Sequence, residues 1–139
     1  LKLTKEIAYL KNIRVFVVEP DLAVAEVLTF MLEAEGAEVQ VAHELNTAID
    51  VLAQFQPDLL ICNLKLPDGD GYSLLHHCQQ LKCSAAQPIR AIAIAHSPWK
   101  IDRQKALSAG FHYYLFEPME YSTLMGGVIQ VLQKRSWQP

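Results

Sequence analysis

The chain has 139 residues, of which 51% are apolar, and its formal net charge is −3. This length fits one domain, and this apolar fraction is ample for a single core. The slightly acidic balance gives no basic footprint for nucleic acid, and no apolar run is long enough to span a bilayer. We therefore expect a soluble single-domain protein with no nucleic-acid partner and no membrane partner.

The three cysteines are Cys62, Cys78 and Cys83. Their number is odd, and they lack the paired spacing of a zinc site. Cys62 lies in an apolar run and Cys78 in a helical pattern, which is typical of free thiols in a reducing compartment. We therefore predict a cytoplasmic location.

The first eleven residues carry Leu3, Ile7 and Leu10 at helical spacing among lysines. This pattern predicts one amphipathic helix that is too short to be stable alone. We interpret it as a packed or frayed extension, and a coiled-coil linker to an upstream module is the alternative. The predicted organisation is an N-terminal extension or linker helix at 1–12, a single domain at 13–135 and a tail at 136–139.

The rest of the chain alternates between two periodicities. Apolar runs predict five strands, at 13–18, 37–42, 59–62, 89–95 and 111–116. Segments with helical spacing alternate with them, at about 22–35, 45–56, 72–82, 101–109 and 121–134. Strands that alternate with helices in this way favour an α/β fold, a doubly wound parallel sheet with helices on both faces.

The third predicted strand ends abruptly at a polar residue. Leu59 to Cys62 is apolar without alternation, which suits a strand covered on both faces. Pro67, Gly69 and Gly71 follow closely and prevent a long helix directly after the strand. Asn63 is therefore predicted to lie at the carboxyl end of a central strand, where open α/β sheets place their ligand sites.

The segment from Pro57 to Gly71 closely resembles the phosphoacceptor segment of the receiver domains of bacterial two-component response regulators. The resemblance extends over about residues 13–134, and the order and spacing of its motifs are specific. It implies a five-stranded flavodoxin-like sheet of order 2-1-3-4-5. It also implies four chemical parts at the strand ends: an aspartate that accepts the phosphoryl group, acids that hold Mg²⁺, a hydroxyl and a lysine.

Two departures from this family affect the acceptor and the metal. Asn63 stands where the family has its phosphorylated aspartate, and an amide is neither charged nor able to form an acyl phosphate. Pro20 stands where the family has an acid that ligates Mg²⁺, and Glu19 keeps one neighbouring acid. We interpret Asp21 as an N-cap of the following helix. Mg²⁺ binding is therefore expected to be weak or absent, with Glu19 and Asn63 as weak candidate ligands and no other cofactor.

Two further departures affect phosphate binding. Ala95 stands where the family has threonine or serine, and Ser97 replaces that hydroxyl only if the alignment slips by two residues. Glu117 stands where the family has lysine, so the charge is reversed and a phosphoryl group would be repelled. The resemblance also implies a cis peptide between Glu117 and Pro118.

Four altered positions on an unaltered scaffold predict a pseudo-receiver: a module, not an enzyme, that docks to a protein without aspartate phosphorylation. The partner we expect is a histidine kinase or another domain of a hybrid kinase. The alternative is an atypical receiver whose pocket of Glu19, Asn63 and Glu117 binds a divalent cation or small ligand and switches conformation. In that alternative, phosphate would be accepted at Asp21 or Asp68, although Asp68 is better interpreted as a turn residue.

The resemblance also assigns a switch position and an interaction face. Tyr114 matches the family's switch aromatic, and because Ala95 leaves space beside it we expect Tyr114 to lie inward. The family uses the face of its fourth helix, fifth strand and fifth helix for partners and homodimers. The residues predicted on or beside that face here are Trp99, Arg103, Gln104, Leu107, His112 and Tyr113.

Overall fold

The computed structural model describes residues 8–82 and 86–134. The elements in chain order are β1 (Arg14–Val18), α1 (Leu22–Ala34), β2 (Glu38–Ala42), α2 (Leu45–Phe55), β3 (Leu59–Asn63), β4 (Lys65–Leu66), β5 (Gly69–Asp70), α3 (Gly71–Gln79), β6 (Arg90–Ala95), α4 (Lys100–Ala109), β7 (Tyr113–Phe116) and α5 (Tyr121–Lys134). Five parallel strands form one sheet of order β2-β1-β3-β6-β7. Counted within that sheet, this is the predicted order 2-1-3-4-5.

The central strands are covered on both sides. Every residue of β3 and of β6 is buried, whereas β2, at one edge of the sheet, alternates between exposed and half-buried residues along most of its length. A strand that is covered by helices on both faces buries all of its side chains, so its sequence is a continuous apolar run. This explains why Leu59–Cys62 shows no alternation in the sequence.

Two hydrophobic clusters flank the sheet. One lies on the side of α2, α3 and α4 and includes Phe16 and Leu60. The other lies on the side of α1 and α5 and includes Val17 and Ile61. Successive residues of β1 and β3 thus point to opposite faces, as the two-residue period of a strand requires. The doubly wound prediction is confirmed.

The third helix ends earlier than predicted, at Gln79 rather than at residue 82. The N–H of Gln80 bonds to the carbonyl of His77, three residues back, so the last turn tightens. Lys82 then pairs with Pro88 in an isolated antiparallel bridge. The loop before this helix also contains the two-residue strands β4 and β5, which the sequence did not predict.

The fifth strand of the sheet begins at Tyr113, two residues later than predicted. The N–H of Phe111 instead bonds to the carbonyl of Ala106 and closes the end of α4. Gly110 makes this closure possible, because its φ is +121°, a conformation that side chains disfavour. Phe111 therefore belongs to the end of the helix, whereas the N–H of His112 already bonds to the carbonyl of Ala91 in β6.

The N-terminal helix prediction falls mainly on residues 1–7, which lie outside the described residues, as does the predicted tail at 136–139. Residues 9–12 form turns, so the described end of that segment is not helical. The Leu10 N–H donates to the carbonyl of Glu35 at 2.8 Å, and its side chain is fully buried.

In residues 8–82 and 86–134, no helix combines the length and the apolar composition that crossing a membrane requires.

Two adjacent glycines of α5 offer a matched test of this packing. An ideal Cβ at Gly126 would meet nothing within 4 Å, whereas one at Gly127 would lie 2.8 Å from Cε2 of Tyr113. We expect Gly126→Ala to raise the free energy of unfolding by about 0.5–1 kcal/mol through helix propensity. Gly127→Ala should lower it by about 1 kcal/mol or more, because the ring must move. Urea unfolding followed by circular dichroism measures both, and an equal gain from both variants would contradict this packing.

Candidate functional site

The predicted site residues meet at the carboxyl edge of the sheet. Parallel registers bring the ends of the strands level, with Val18 beside Cys62, Asn63 beside Ile94, and Ala95 beside Phe116. Glu19 and Glu117 follow the ends of β1 and β7 directly. This edge of an open α/β sheet is where such folds place their sites.

Asn63 is tied at both ends of its amide. Its Nδ2 donates to Oε1 of Glu19 at 3.0 Å, and its Oδ1 accepts from the Lys65 N–H at 2.9 Å. The side chain is 5% exposed. Both polar atoms of this buried amide therefore have hydrogen-bond partners, as buried polar groups require.

Glu19 is equally engaged. While Oε1 accepts from Asn63, Oε2 accepts from the Asp21 N–H at 2.9 Å. Pro20 lies between these residues and offers no side-chain ligand. The Asp21 carboxylate accepts from the N–H groups of Ala23 and Val24, which confirms its interpretation as the N-cap of α1.

Glu117 is a buried carboxylate, 7% exposed. Its Oε2 lies 3.1 Å from Nε2 of His96, but this contact has the geometry of an ion pair rather than of an aligned hydrogen bond. Burial raises the pKa of Glu117, the negative charges of Glu19 and Asp21 raise it further, and His96 acts in the opposite direction. The peptide to Pro118 is cis, as the resemblance implied.

Ala95, at the end of β6, carries no hydroxyl, and the hydroxyl of Ser97 has partners in the following loop and at the start of α4. The Ser97 hydroxyl donates to Oδ2 of Asp102 and accepts from the Trp99 N–H. β6 ends at Ala95, and Ser97 belongs to the following loop. The hydroxyl of Ser97 organises this loop.

Tyr114 lies inward, as expected. It is 9% exposed and belongs to the cluster that contains Ala95 and Ala106. Its hydroxyl donates to the carbonyl of Ser97 at 2.6 Å, and burial raises its pKa. An outward movement of the ring would break this hydrogen bond and open the cluster.

Comparison with known proteins identifies the family. The family model of the response regulator receiver domain matches residues 15–128. An uncharacterized 14.6 kDa protein from the sodA1 3′ region of Leptolyngbya boryana is 35% identical over 111 residues, which cover 80% of this chain and 83% of that protein. The chain belongs to the response regulator receiver family.

Solved structures agree with this fold. A protein of Chloroflexus aurantiacus assigned as a response regulator superposes with a TM-score of 0.78 at 27% identity, over 87% of this chain and 98% of that one. The receiver domain of a sensor histidine kinase from Pseudomonas aeruginosa superposes with a TM-score of 0.72 at 23% identity, over 85% and 94%. That second structure holds a magnesium ion in its active-site cleft.

The donor atoms of this receiver domain do not fit Mg²⁺. Both oxygens of Glu19 and the carbonyl oxygen of Asn63 already accept hydrogen bonds, and the side chain of Pro20 has no atom that could bind a metal. Within residues 8–82 and 86–134, no group of three or more His, Cys, Asp or Glu side chains is arranged to hold a metal ion. Mg²⁺ needs near-octahedral oxygen ligation, for which one carboxylate and one neutral amide oxygen are a poor set of ligands.

A cleft of about 630 Å³ opens beside the site, between the loops that follow β3 and β6. The rings of Tyr72, Trp99 and Tyr114 line it, together with Lys65 and Lys105. The Lys105 ammonium lies 5.2 Å from the centre of the Tyr72 ring, within cation–π range. The sequence placed Trp99 beside this site but did not identify the cleft.

Asp68 has a role that the sequence did not reveal. Its two oxygens accept from the N–H groups of Leu45 and Asn46, at 2.7 and 2.9 Å. It therefore caps α2 from the β4–β5 hairpin, while Glu44, the residue at the N-cap position, makes no side-chain capping bond. These backbone donors lower the pKa of Asp68. No local signal could have found the contact, because its partners lie 22 and 23 positions away.

Asp68→Asn tests this long-range cap. A carboxylate with a lowered pKa stabilises the folded state above its ordinary pKa of about 3.9, and this stabilisation is lost as the pH falls through the lowered value. We expect the variant to have a lower free energy of unfolding at neutral pH, with the deficit shrinking in acid. Urea unfolding across pH measures it. Asp50→Asn, at an exposed carboxylate of α2, is the control, and an equal loss there would contradict a specific cap.

Glu117→Gln tests the buried charge. A carboxyl with a raised pKa binds its proton more tightly when folded, so its ionisation costs stability above that pKa and the cost disappears in acid. The neutral variant should therefore be more stable than the wild type at neutral pH, and the two should converge as the pH falls. Thermal and urea unfolding measure this, with the exposed Glu26→Gln as control. Lower stability of Glu117→Gln at neutral pH would contradict it.

Proposed function

We propose that this receiver domain is a pseudo-receiver, a signalling module that docks to a protein partner without accepting a phosphoryl group at position 63. The observation that carries the proposal is the paired engagement of the Asn63 amide by Glu19 and by the Lys65 N–H. The family attacks phosphorus with a carboxylate oxygen at this position. This chain has an amide there instead, and both of its polar atoms form hydrogen bonds within the site.

Glu117 adds an electrostatic argument. Phosphoryl transfer depends on positive charge that stabilises the transferring oxygens. Here a buried carboxylate, near Glu19, occupies the position where the family has lysine. Like charges at close range in a partly desolvated site repel strongly. Glu117 therefore disfavours phosphate binding more than a neutral residue at the same position would.

The other acceptors considered, Asp21 and Asp68, also have structural tasks. Each accepts two backbone N–H bonds at the start of a helix, Asp21 at α1 and Asp68 at α2. Phosphorylation of either carboxylate would remove its cap. This favours the docking function over an alternative acceptor within the pocket.

Docking would use a preformed surface. The inward Tyr114, held by Ser97, supports a conformation that does not depend on a phosphoryl group. On the face of α4, β7 and α5, Arg103 and Gln104 are exposed, Leu107, His112 and Tyr113 are half-buried, and the neighbouring Trp99 is 68% exposed. We assign this face to a protein partner, a histidine kinase or another domain of a hybrid kinase, with a homodimer as the second option.

The first test is exposure of the purified chain to Mg²⁺ with acetyl phosphate or beryllofluoride. Intact-mass spectrometry should show no added phosphoryl group, and amide chemical shifts of Asn63, Glu117 and Tyr114 should not change up to millimolar Mg²⁺. Asn63→Asp alone should accept little phosphate, because Glu117 remains. Asn63→Asp combined with Glu117→Lys should accept more, since the opposing charge is reversed.

A receiver domain that retains the aspartate serves as the positive control for the phosphodonor. A mass increase in the wild-type chain would overturn the proposal. Saturable shifts around Glu19 and Glu117 with movement of Tyr114 would instead favour the atypical receiver that senses a cation or small ligand.

A further inference from the structure

The large cleft between the loops that follow β3 and β6 has the size of a small-molecule site. Its volume is about 630 Å³, and ligand pockets typically occupy about 300–1,000 Å³. Of the residues that line it, Asn63 and Tyr114 are buried, whereas Trp99 is 68% exposed. The cleft therefore extends from the interior of the site to the protein surface.

Two aromatic rings of the cleft are held in place by the fold. The Tyr72 ring packs edge-to-face against Phe111, with the ring centres 5.9 Å apart. The Tyr114 hydroxyl donates to the carbonyl of Ser97 at 2.6 Å. Rigid aromatic walls suit a flat aromatic ligand, because ring pairs attract each other and little conformational freedom is lost on binding.

Trp99 lies at the opening of the cleft on a backbone that is also fixed. Its N–H donates to Oγ of Ser97 at 3.3 Å, and its carbonyl accepts from the N–H groups of Asp102 and Arg103. Its ring is nevertheless largely exposed. A stacked aromatic ligand would remove this apolar surface from water, which is favourable.

The lysines of the cleft favour a negative group on that ligand. Lys65 and Lys105 are exposed in the lining, and neither forms an ion pair with a carboxylate of the described residues. The Lys105 ammonium lies 5.2 Å from the centre of the Tyr72 ring, so a cation already occupies the site beside that ring. Both ammonium groups remain available to an anion.

The acids of the cleft are already compensated. Asp70 is the N-cap of α3 and accepts from the Ser73 N–H. Asp102 lies in the first turn of α4 and accepts from the Ser97 hydroxyl. Both carboxylates are therefore at helix N-termini, where the helix dipole offsets a negative charge.

Glu117 does not oppose an anion at these lysines in the way that it opposes phosphate at the strand ends. It lies outside the described lining of the cleft, and its Oε2 is 3.1 Å from Nε2 of His96. The cleft can thus accept a carboxylate near Lys65 and Lys105, although the phosphoacceptor position disfavours a phosphoryl group.

We propose that this cleft binds a planar aromatic carboxylate, whose rings contact Trp99 and Tyr72 and whose carboxylate pairs with the two lysines. A cationic guest, which aromatic cages often hold, fits poorly because Lys65 and Lys105 repel it. The inference goes beyond the proposed function, since it requires neither a partner protein nor a phosphoryl group.

The test uses the intact chain and three probes with the same ring system: naphthoate, naphthamide and the naphthylmethylammonium ion. Chemical-shift titrations that follow the indole Nε1–H of Trp99 and the backbone amides give the affinities and the location of binding. Naphthoate should bind at least about tenfold more tightly than naphthamide, and the ammonium probe should bind most weakly.

The double variant Lys65→Met, Lys105→Met keeps the apolar stems and should reduce the affinity for naphthoate to that for naphthamide. Lys100→Met removes the same charge from α4 outside the described lining of the cleft, and it should leave all three affinities unchanged. Trp99→Ala should weaken naphthoate and naphthamide by the same factor, about tenfold. Circular dichroism verifies that each variant is folded.

Equal affinities for the three probes, or tighter binding of the ammonium probe, would overturn the inference. So would the absence of a saturable shift at Trp99 with millimolar naphthoate. A loss in Lys100→Met as large as that in the double variant would also contradict it, because the attraction would then come from the general charge of the surface.

Discussion

The hydrogen bond from Asn63 to Glu19 is the interaction on which the rest of the site depends. It joins the carboxyl ends of two adjacent strands, β3 and β1, at 3.0 Å in a buried position. Two carboxylates at these positions would repel each other unless a cation lay between them, whereas an amide and a carboxylate are complementary without one. The amide thus allows the site to be closed in the absence of metal and phosphate.

The carboxylate of Glu117, at the same edge of the sheet, is compensated less completely than that of Glu19. Both oxygens of Glu19 accept hydrogen bonds, whereas Oε2 of Glu117 accepts none within the described residues. Glu117 instead pairs with His96, whose Nε2 lies 3.1 Å from its Oε2 and which is charged only when protonated.

The alternation of strands and helices was predictable from local periodicity, whereas the strand order came from the resemblance. The Asp21 cap was predictable because its donors lie two and three residues away. The contacts of Asp68 with α2 and of Glu117 with His96 were not, because each joins positions more than twenty residues apart. Chemical departures such as Asn63 were visible by resemblance. That its amide would be satisfied by Glu19 required the geometry of the folded chain.

Residues that reduce stability without an evident structural return tend to mark function. Asn63, Asp21 and Asp68 each make hydrogen bonds that hold local structure together, so folding explains their presence. Glu117 is different, since its ionisation is opposed by burial and by neighbouring acids. A neutral side chain of similar size would satisfy the fold better at this position. The charge of Glu117 is therefore the feature of this edge of the sheet that folding alone does not explain.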